Sequence, residues 1–541
     1  MVQLQWGTSE KLRALLCELV SWQSRSKTDG EVKFAYRLKD KLLSIPYFKQ
    51  NPDHIAFHDA GLNRNAVTAF YKSPETSDTI VLISHFDTVN TEEYGSLEKL
   101  AYSPEELTKE LQKHKDELPH DALKDLESGQ YLFGRGTMDM KTGLAVHMSI
   151  IEKASAENWP INLVLLTVPD EEVDSAGMRA AVPGLVSLQE EHQLTYKLFL
   201  NGEPSFSQRN DDPNYYIYSG SIGKIMPSAL IYGKETHVGE PMSGVTANYI
   251  ASFLTSEMEF NAEFRESLYE ETTPLPVSLR QRDIMNMEYS VQTPYRAQIM
   301  YNVFLMKRTA SEVMEIFKRT AEKAANACTK AYHEICKREG VQPVGDIKVI
   351  YYEELRKYAE NKLGQTTVAS LIDEVLQNSS WDDREKSLRI ADVLMRNCQE
   401  LGPAMVLLFA PPYYPAVNSS DDSLVIELTE QTKKAAQTKF GVELKQIHYY
   451  NGISDLSYVN YQGSSDGWNV YKQNTPVWGS SYSIPFEDME KLKAPVFNLG
   501  PFGKDAHKRT ERLHIDSAFV QLPYLVENLI KTMSSVKKVE V

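Results

Sequence analysis

Tyr131-Leu132-Phe133-Gly134-Arg135-Gly136-Thr137-Met138-Asp139-Met140-Lys141 sets a lone carboxylate, Asp139, in a tight glycine-bearing loop directly before a helix. Leu144, Ala145, Met148 and Ile151 recur at helical spacing, so a helix over about 141–154 is predicted to pack one face on a core. The loop therefore presents Asp139 on rigid scaffolding. An acidic residue at a helix start also complements the helix dipole, but a carboxylate held in this way can bridge two cations with its two oxygens.

On either side of this loop, apolar runs end in polar clusters. Ile80-Val81-Leu82-Ile83 reads as a buried strand stopping at Ser84-His85-Phe86-Asp87. Ile161 to Val168 is a second, ending at Pro169-Asp170-Glu171-Glu172, and Lys197 to Leu200 a third, ending at Asn201-Gly202-Glu203. A late strand, Pro495 to Leu499, leads to His507. In open α/β sheets the ligand crevice lies outside the carboxyl ends of the strands, so these polar residues are expected to converge on one site.

The first sixty residues read as helical, and the charge-rich stretch from Glu92 to Gln130 reads as a solvated helical excursion between the first strand and the Asp139 loop. Past Asp212 the pattern changes. Strands at Tyr215 to Ser219, Met226 to Tyr232, Arg296 to Arg308 and Asp346 to Tyr352, with a long helix from Ser311 to Arg338, suggest a small α+β domain inserted into the first. The expected division is a first catalytic part over 1–212, an inserted α+β domain over 213–360 and a second catalytic part over 361–541. The fold class is α/β, with a largely parallel central sheet and helices on both faces.

The 541 residues carry a formal net charge of −16 and contain no basic cluster, which argues against a nucleic-acid or anionic-membrane partner. Charged residues interrupt the apolar ones near Met1, so neither an export leader nor a membrane anchor is expected there. Cys17, Cys328, Cys336 and Cys398 are scattered without CxxC spacing and read as reduced thiols of a cytoplasmic protein.

Five candidate ligands stand out: His85, Asp139, Glu172, Glu203 and His507, a mixture of imidazole and carboxylate suited to two zinc or similar ions rather than calcium. Asp87 is placed to accept the other ring N–H of His85 and so fix its tautomer. Glu171 and Glu172 are adjacent, so their side chains diverge: one can bind metal while the other faces the bound water. His147, on the helix after Asp139, is expected to be a packing residue.

Taken in order, HFDTVN, GRGTMDMKTG, TVPDEE, NGEPS, GKETHVGEP and AHKRTERL resemble the motifs of the M20 family of metallopeptidases and amidohydrolases, from His85 to Glu511, and within it the larger arginine-utilisation, RocB-like members. The resemblance implies a zinc-exopeptidase-like catalytic domain with a lid domain that can also serve dimerisation. It implies that His85 and Glu203 hold one metal, Glu172 and His507 the other, that Asp139 bridges them, and that Glu171 is the general base. The ions would be zinc, with manganese or cobalt as alternatives, and the substrate a peptide or N-acyl amino acid. A cis Asp139–Met140 peptide is also implied. His237 is similar to the family's lid histidine, which helps stabilise the oxyanion, often from a partner subunit. Asn248 matches an Asn on the following helix, and Gly452-Ile453-Ser454-Asp455 is similar to a degraded GGTDA loop. Where the family often ends a lid strand with an acidic residue, any residue and a substrate-binding Arg, this chain has Met306-Lys307-Arg308, so Arg308 is the nearest candidate. Two rivals are a catalytically silent metal-binding regulatory or scaffold protein of amino-acid metabolism and a two-metal phosphoesterase, which needs basic residues to clamp phosphate.

Overall fold

β1 (Ile55–Asp59), β2 (Asn65–Tyr71), β3 (Asp78–His85), β4 (Asn162–Val168), β5 (Thr195–Asn201), β6 (Tyr215–Tyr218), β7 (Leu444–Ile447) and β8 (Val496–Asn498) form one sheet in the order β1-β2-β4-β3-β5-β8-β6-β7. The four central strands, β4, β3, β5 and β8, run parallel. The flanking pairs β1/β2, β2/β4 and β8/β6 are antiparallel. These strands belong to a computed structural model that describes residues 4–208, 212, 214–283 and 291–535.

The chain folds as two compact units, Met1–Ser221 with Val417–Tyr461 and Pro485–Val541, and Ile222–Ala416 with Gln462–Ile484. In the first unit β4 is buried along its whole length and β3 at all but its first residue, so both faces of the sheet centre are covered, as a parallel sheet requires. The elements that matter for the site are α1 (His120–Ser128), α2 (Thr142–Glu157) and α3 (Ala176–His192). α2 follows the Asp139 loop as expected, and it buries Leu144, Ala145, Met148 and Ile151. His147 is fully buried there as a core residue, with burial pushing its imidazole down to about 3. A second, four-stranded sheet pairs Tyr131–Phe133 with Arg512–His514, which pairs with Phe502–Lys504, which pairs with Ser205–Phe206. It joins the Asp139 loop to the segment carrying His507.

The second unit holds a sheet in the order Gly223–Ile225, Arg296–Leu305, Pro227–Tyr232, Ala404–Phe409, Lys348–Tyr351, with Val277–Asp283 added on Arg296–Leu305. Its helix Ala310–Glu339 starts at a capping box on Thr309 and ends at Gly340, whose φ of 68° gives the left-handed turn that glycine accepts without strain.

Three expectations need correction. The first sixty residues contain β1 as well as the helices Ser9–Ser21, Asp29–Leu42 and Pro46–Gln50, since Ile55–Asp59 zips onto β2 in antiparallel register. The inserted segment starts later than expected: residue 213 lies outside the described residues, and Tyr215–Tyr218 is a strand of the first unit's sheet, paired with Leu444–Ile447. It also ends later than 360. Ala404–Phe409 pairs residue by residue with Pro227–Tyr232, and the helix Asp383–Asn397 is tied to the same sheet by Arg296–Asp392 at 2.8 Å and Arg280–Glu385 at 3.2 Å. A run of apolar residues marks a strand without saying which of two sheets it completes.

Candidate metal centre

His85 is the last residue of β3, in register with Val168 at the end of β4, so both strands release their polar residues at one edge. Its Nδ1 lies 3.2 Å from the carbonyl oxygen of Asp87 and 3.5 Å from the Asp87 carboxylate. A ring N–H donated to that carbonyl leaves the Nε2 lone pair facing the site, the orientation a metal ligand needs. The Asp87 carboxylate, expected to hold the imidazole, chiefly organises the next loop. It accepts N–H bonds from Glu171 at 3.0 Å and Glu172 at 3.3 Å and the Ser26 hydroxyl at 2.7 Å. Asp87 thus couples the ends of β3 and β4.

The turn after β4 is built by Asp170, in the left-handed region at φ 69°. Its carbonyl accepts the N–H groups of Val173, Asp174 and Ser175, and its carboxylate caps Ala176 at the start of α3 while pairing with the buried Arg64. This closed turn aims Glu171 and Glu172 in different directions. Glu203 follows β5 by two residues and is fastened by Asn498 of β8, whose side chain accepts its N–H at 2.9 Å and donates to its carbonyl at 2.8 Å. A Cβ on Gly500 would sit 2.0 Å from that carbonyl oxygen, so only glycine lets the strand after β8 pass so close.

The Asp139–Met140 peptide is cis, as the family resemblance implied, and lies in the wide turn Thr137–Lys141. Asp139 Oδ1 is 3.3 Å from His85 Nε2, and Asp139 Oδ2 is 3.2 Å from His507 Nε2. Around His85 Nε2 lie Glu203 at 3.5 Å and Glu171 at 3.8 Å, while His507 Nε2 meets Glu172 at 3.0 Å. Ligand atoms of His85, Glu171 and Glu203, and of His85, Asp139 and Glu172, all lie close enough within each group to share one ion. His507 stands at the mouth, its side chain 49% exposed, whereas the side chains of His85 and Glu203 are 1% and 3% exposed.

The electrostatics show a site crowded with like charge. Burial pushes Glu171, Glu172 and Glu203 upward; against the nearby imidazoles, Glu203 adds to the rise at Glu171, and Asp139 adds to it at Glu172 and Glu203. Burial pulls His85 down, but Glu203, Asp139 and Asp87 outweigh it and hold the ring well above its ordinary value. Burial likewise opposes protonation of His507, yet its bonds to Asp139 and Glu172 carry it up to about 11. A closely spaced set that mixes carboxylate oxygens with imidazole nitrogens fits zinc, manganese or cobalt, and Asp139 offers one oxygen to each side.

Two further buried carboxylates were given no role by the sequence reading. Glu511, fully buried and pushed up to about 7 by burial, pairs with Arg135 at 2.6 Å and accepts the Met138 N–H at 3.3 Å. Asp455, buried beside Glu171 and Glu203, is likewise pushed up to about 7, by burial first. The Gly452–Asp455 segment, singled out by its likeness to a known loop, thus does reach the site.

The other predicted residues belong to the second unit. His237 is in a bridge with Gln292, and its Nδ1 accepts the Gly239 N–H at 3.0 Å. Asn248 is exposed on the first turn of the helix Ala247–Met258. Arg308 is half-buried; the acidic residue near it, Glu266, takes the backbone N–H groups of Met306, Lys307 and Arg308 at 3.1, 2.9 and 3.1 Å. The missing acidic partner in the sequence motif is thus supplied from a distant segment, but to the backbone of Arg308.

Comparison with known proteins identifies the family and the fold. YqjN of Bacillus subtilis is 39% identical over 98% of this chain and 97% of its own length, and RocB of the same organism 31% identical over 96% and 94%. The crystal structure of Sso-CP2, an M20 family metallo-carboxypeptidase from Sulfolobus solfataricus, shares the fold with a TM-score of 0.56 at 13% identity, over 96% of this chain and 98% of that one. Residues 81–532 match Peptidase family M20/M25/M40, and with His85, Asp139 and His507 all inside that span, the chain belongs to this family as an M20-type metallohydrolase.

Proposed function

We propose that the protein hydrolyses the amide bond of a peptide or an N-acyl amino acid with two divalent ions, zinc foremost, held by His85 and Glu203 on one side, Glu172 and His507 on the other, and Asp139 between. The observation that carries this reading is the seat of Asp139, whose two oxygens face the two imidazoles separately at 3.3 and 3.2 Å. When bound, such ions supply Lewis acidity, polarising a carbonyl and making water nucleophilic near neutral pH.

The chain's own residues then divide the remaining work. Glu171, a buried carboxylate 3.8 Å from His85, takes a proton from the attacking water and returns it to the leaving amine. His237 donates a hydrogen bond to the developing oxyanion, from the same chain or a partner subunit, and Asn248 and Arg308 bind the substrate. The second unit acts as a lid whose closure excludes water, and it is also the surface through which two copies would pair. The setting is cytoplasmic amino-acid metabolism, with arginine utilisation suggested by the likeness to RocB. Cys17, Cys328, Cys336 and Cys398 are all unpaired, and among the described residues no helix is long and apolar enough to cross a membrane.

Dipeptides, N-acyl amino acids and phosphoesters assayed with added zinc or manganese test the reading. Turnover of an amide substrate supports it. Turnover of phosphoesters alone moves the chemistry to phosphoryl transfer, and metal binding without any turnover favours a binding or scaffold role.

A further inference from the structure

We infer that Arg512 is a positioning residue for His507, clamping the His507 hairpin to the charged excursion that precedes the Asp139 loop and thereby setting the affinity of the second metal position. The inference rests on the two-cation reading above.

Arg512 is fully buried and spends all of its guanidinium on fixed partners. Nε donates to Asp125 at 2.7 Å, Nη2 to Asp121 at 2.9 Å, and Nη1 to Asp505 and to the Thr510 carbonyl at 3.1 Å. Asp121 and Asp125 lie on α1, whereas Asp505 and Thr510 are in the hairpin itself. Arg512 thus bridges two elements far apart in the chain, Asp125 standing 387 residues before it. Lys504 adds a second tie to Asp125 at 2.8 Å, and Arg509 a third to the Glu117 carbonyl at 2.7 Å.

The clamp acts where the backbone needs holding. Asp505 and His507 both sit in the left-handed region, at φ 60° and 65°. A non-glycine residue there costs of order 1–3 kcal/mol and persists only where its surroundings over-determine it. Asp505 is fixed by Arg512 and by the Thr510 hydroxyl at 2.8 Å, and its carbonyl accepts the Lys508 N–H at 3.0 Å. His507 has no such support of its own: its imidazole is half exposed and contacts only Asp139 and Glu172 among the metal-site groups described above. Its place over the site is therefore inherited from Asp505, and that of Asp505 from Arg512. His85 owes nothing to this clamp, being the end of a central strand.

Groups that orient a metal's ligands without touching the metal change its affinity by roughly 10–100-fold when removed, and Arg512 acts in this way through Asp505. The test is zinc stoichiometry and chelator-competition affinity of the full chain, with thermal unfolding followed in parallel, for the wild type, Arg512→Met and Arg512→Lys. Because Arg512→Met alone strands the buried Asp125 carboxylate, the paired variant Arg512→Met with Asp125→Asn keeps the test open should the single change fail to fold. The wild type should bind two ions. The folded Met variants should keep one at wild-type affinity and hold the second ~10–100-fold more weakly, with Arg512→Lys lying between. Folded Met variants that bind both ions as the wild type does, or lose both together, overturn the inference while leaving the two-cation reading standing. A wild type that binds fewer than two ions overturns both.

Discussion

Exchanging Glu171 and Glu172 singly for Gln separates chemistry from metal holding at two adjacent positions. Glu172 meets His507 at 3.0 Å inside the ligand cluster, so Glu172→Gln replaces a carboxylate ligand by a poorer amide oxygen and should lower bound metal. Glu171 keeps its size and hydrogen-bonding capacity as Gln but loses the proton acceptor. General acid–base catalysis contributes ~10²–10⁴-fold, about 2.7–5.4 kcal/mol at 1.36 kcal/mol per factor of ten. Turnover of Glu171→Gln should fall by at least that much, with metal content near wild type. The apo protein should respond in the opposite sense. Burial pushes the Glu171 carboxyl far up, with Glu203 and Asp455 adding to it, so folding without metal at neutral pH must put a proton on it; Gln, already neutral, escapes that cost and should raise the melting temperature after chelation. Elemental analysis, steady-state hydrolysis and thermal unfolding with EDTA read the three effects. If Glu171→Gln lost metal while Glu172→Gln kept it, the roles are reversed; if neither changed turnover, the hydrolytic mechanism is wrong.

Asp455 gives a pH prediction. Its folded-state pKa, raised by burial to about 7, lies above its ordinary value of 3.8, so its neutral form stabilises the fold at low pH and that contribution is lost as pH rises through about 7. The chelated protein should melt at lower temperature as pH rises from about 4 to 7, and Asp455→Asn should flatten that fall; an unchanged slope refutes the assignment. Arg135→Met leaves the fully buried Glu511 unpaired and should cost roughly 3–5 kcal/mol in chemical denaturation, whereas a loss under ~1 kcal/mol, the range of an exposed pair, contradicts the role given to Arg135. His237→Ala should lower turnover without lowering bound zinc, and unchanged turnover removes it from the oxyanion.

The site was legible where chemistry and strand ends coincide. Apolar runs stopping at His85, at Glu171-Glu172 and at Glu203 announced strands delivering polar groups to one edge, and β3, β4 and β5 do run parallel with His85 opposite Val168. What could not be read is what distant segments do to one another. Arg512 looks like any basic residue until Asp121 and Asp125 fold against it, and Asp87 pairs less with its neighbour His85 than with two backbone groups of the next strand's turn. Strand ownership failed for the same reason. Ala404–Phe409 is as apolar as β3, and only its pairing with Pro227–Tyr232 places it in the second unit.

The central claim is that Asp139 bridges two cations. A crystal structure of the zinc-loaded protein, with anomalous data collected at the zinc edge, tests it directly. Two peaks are expected ~3.5–4 Å apart, one between Asp139 and His85 with Glu203, the other between Asp139 and His507 with Glu172. A single peak, or two that do not share Asp139, would contradict it.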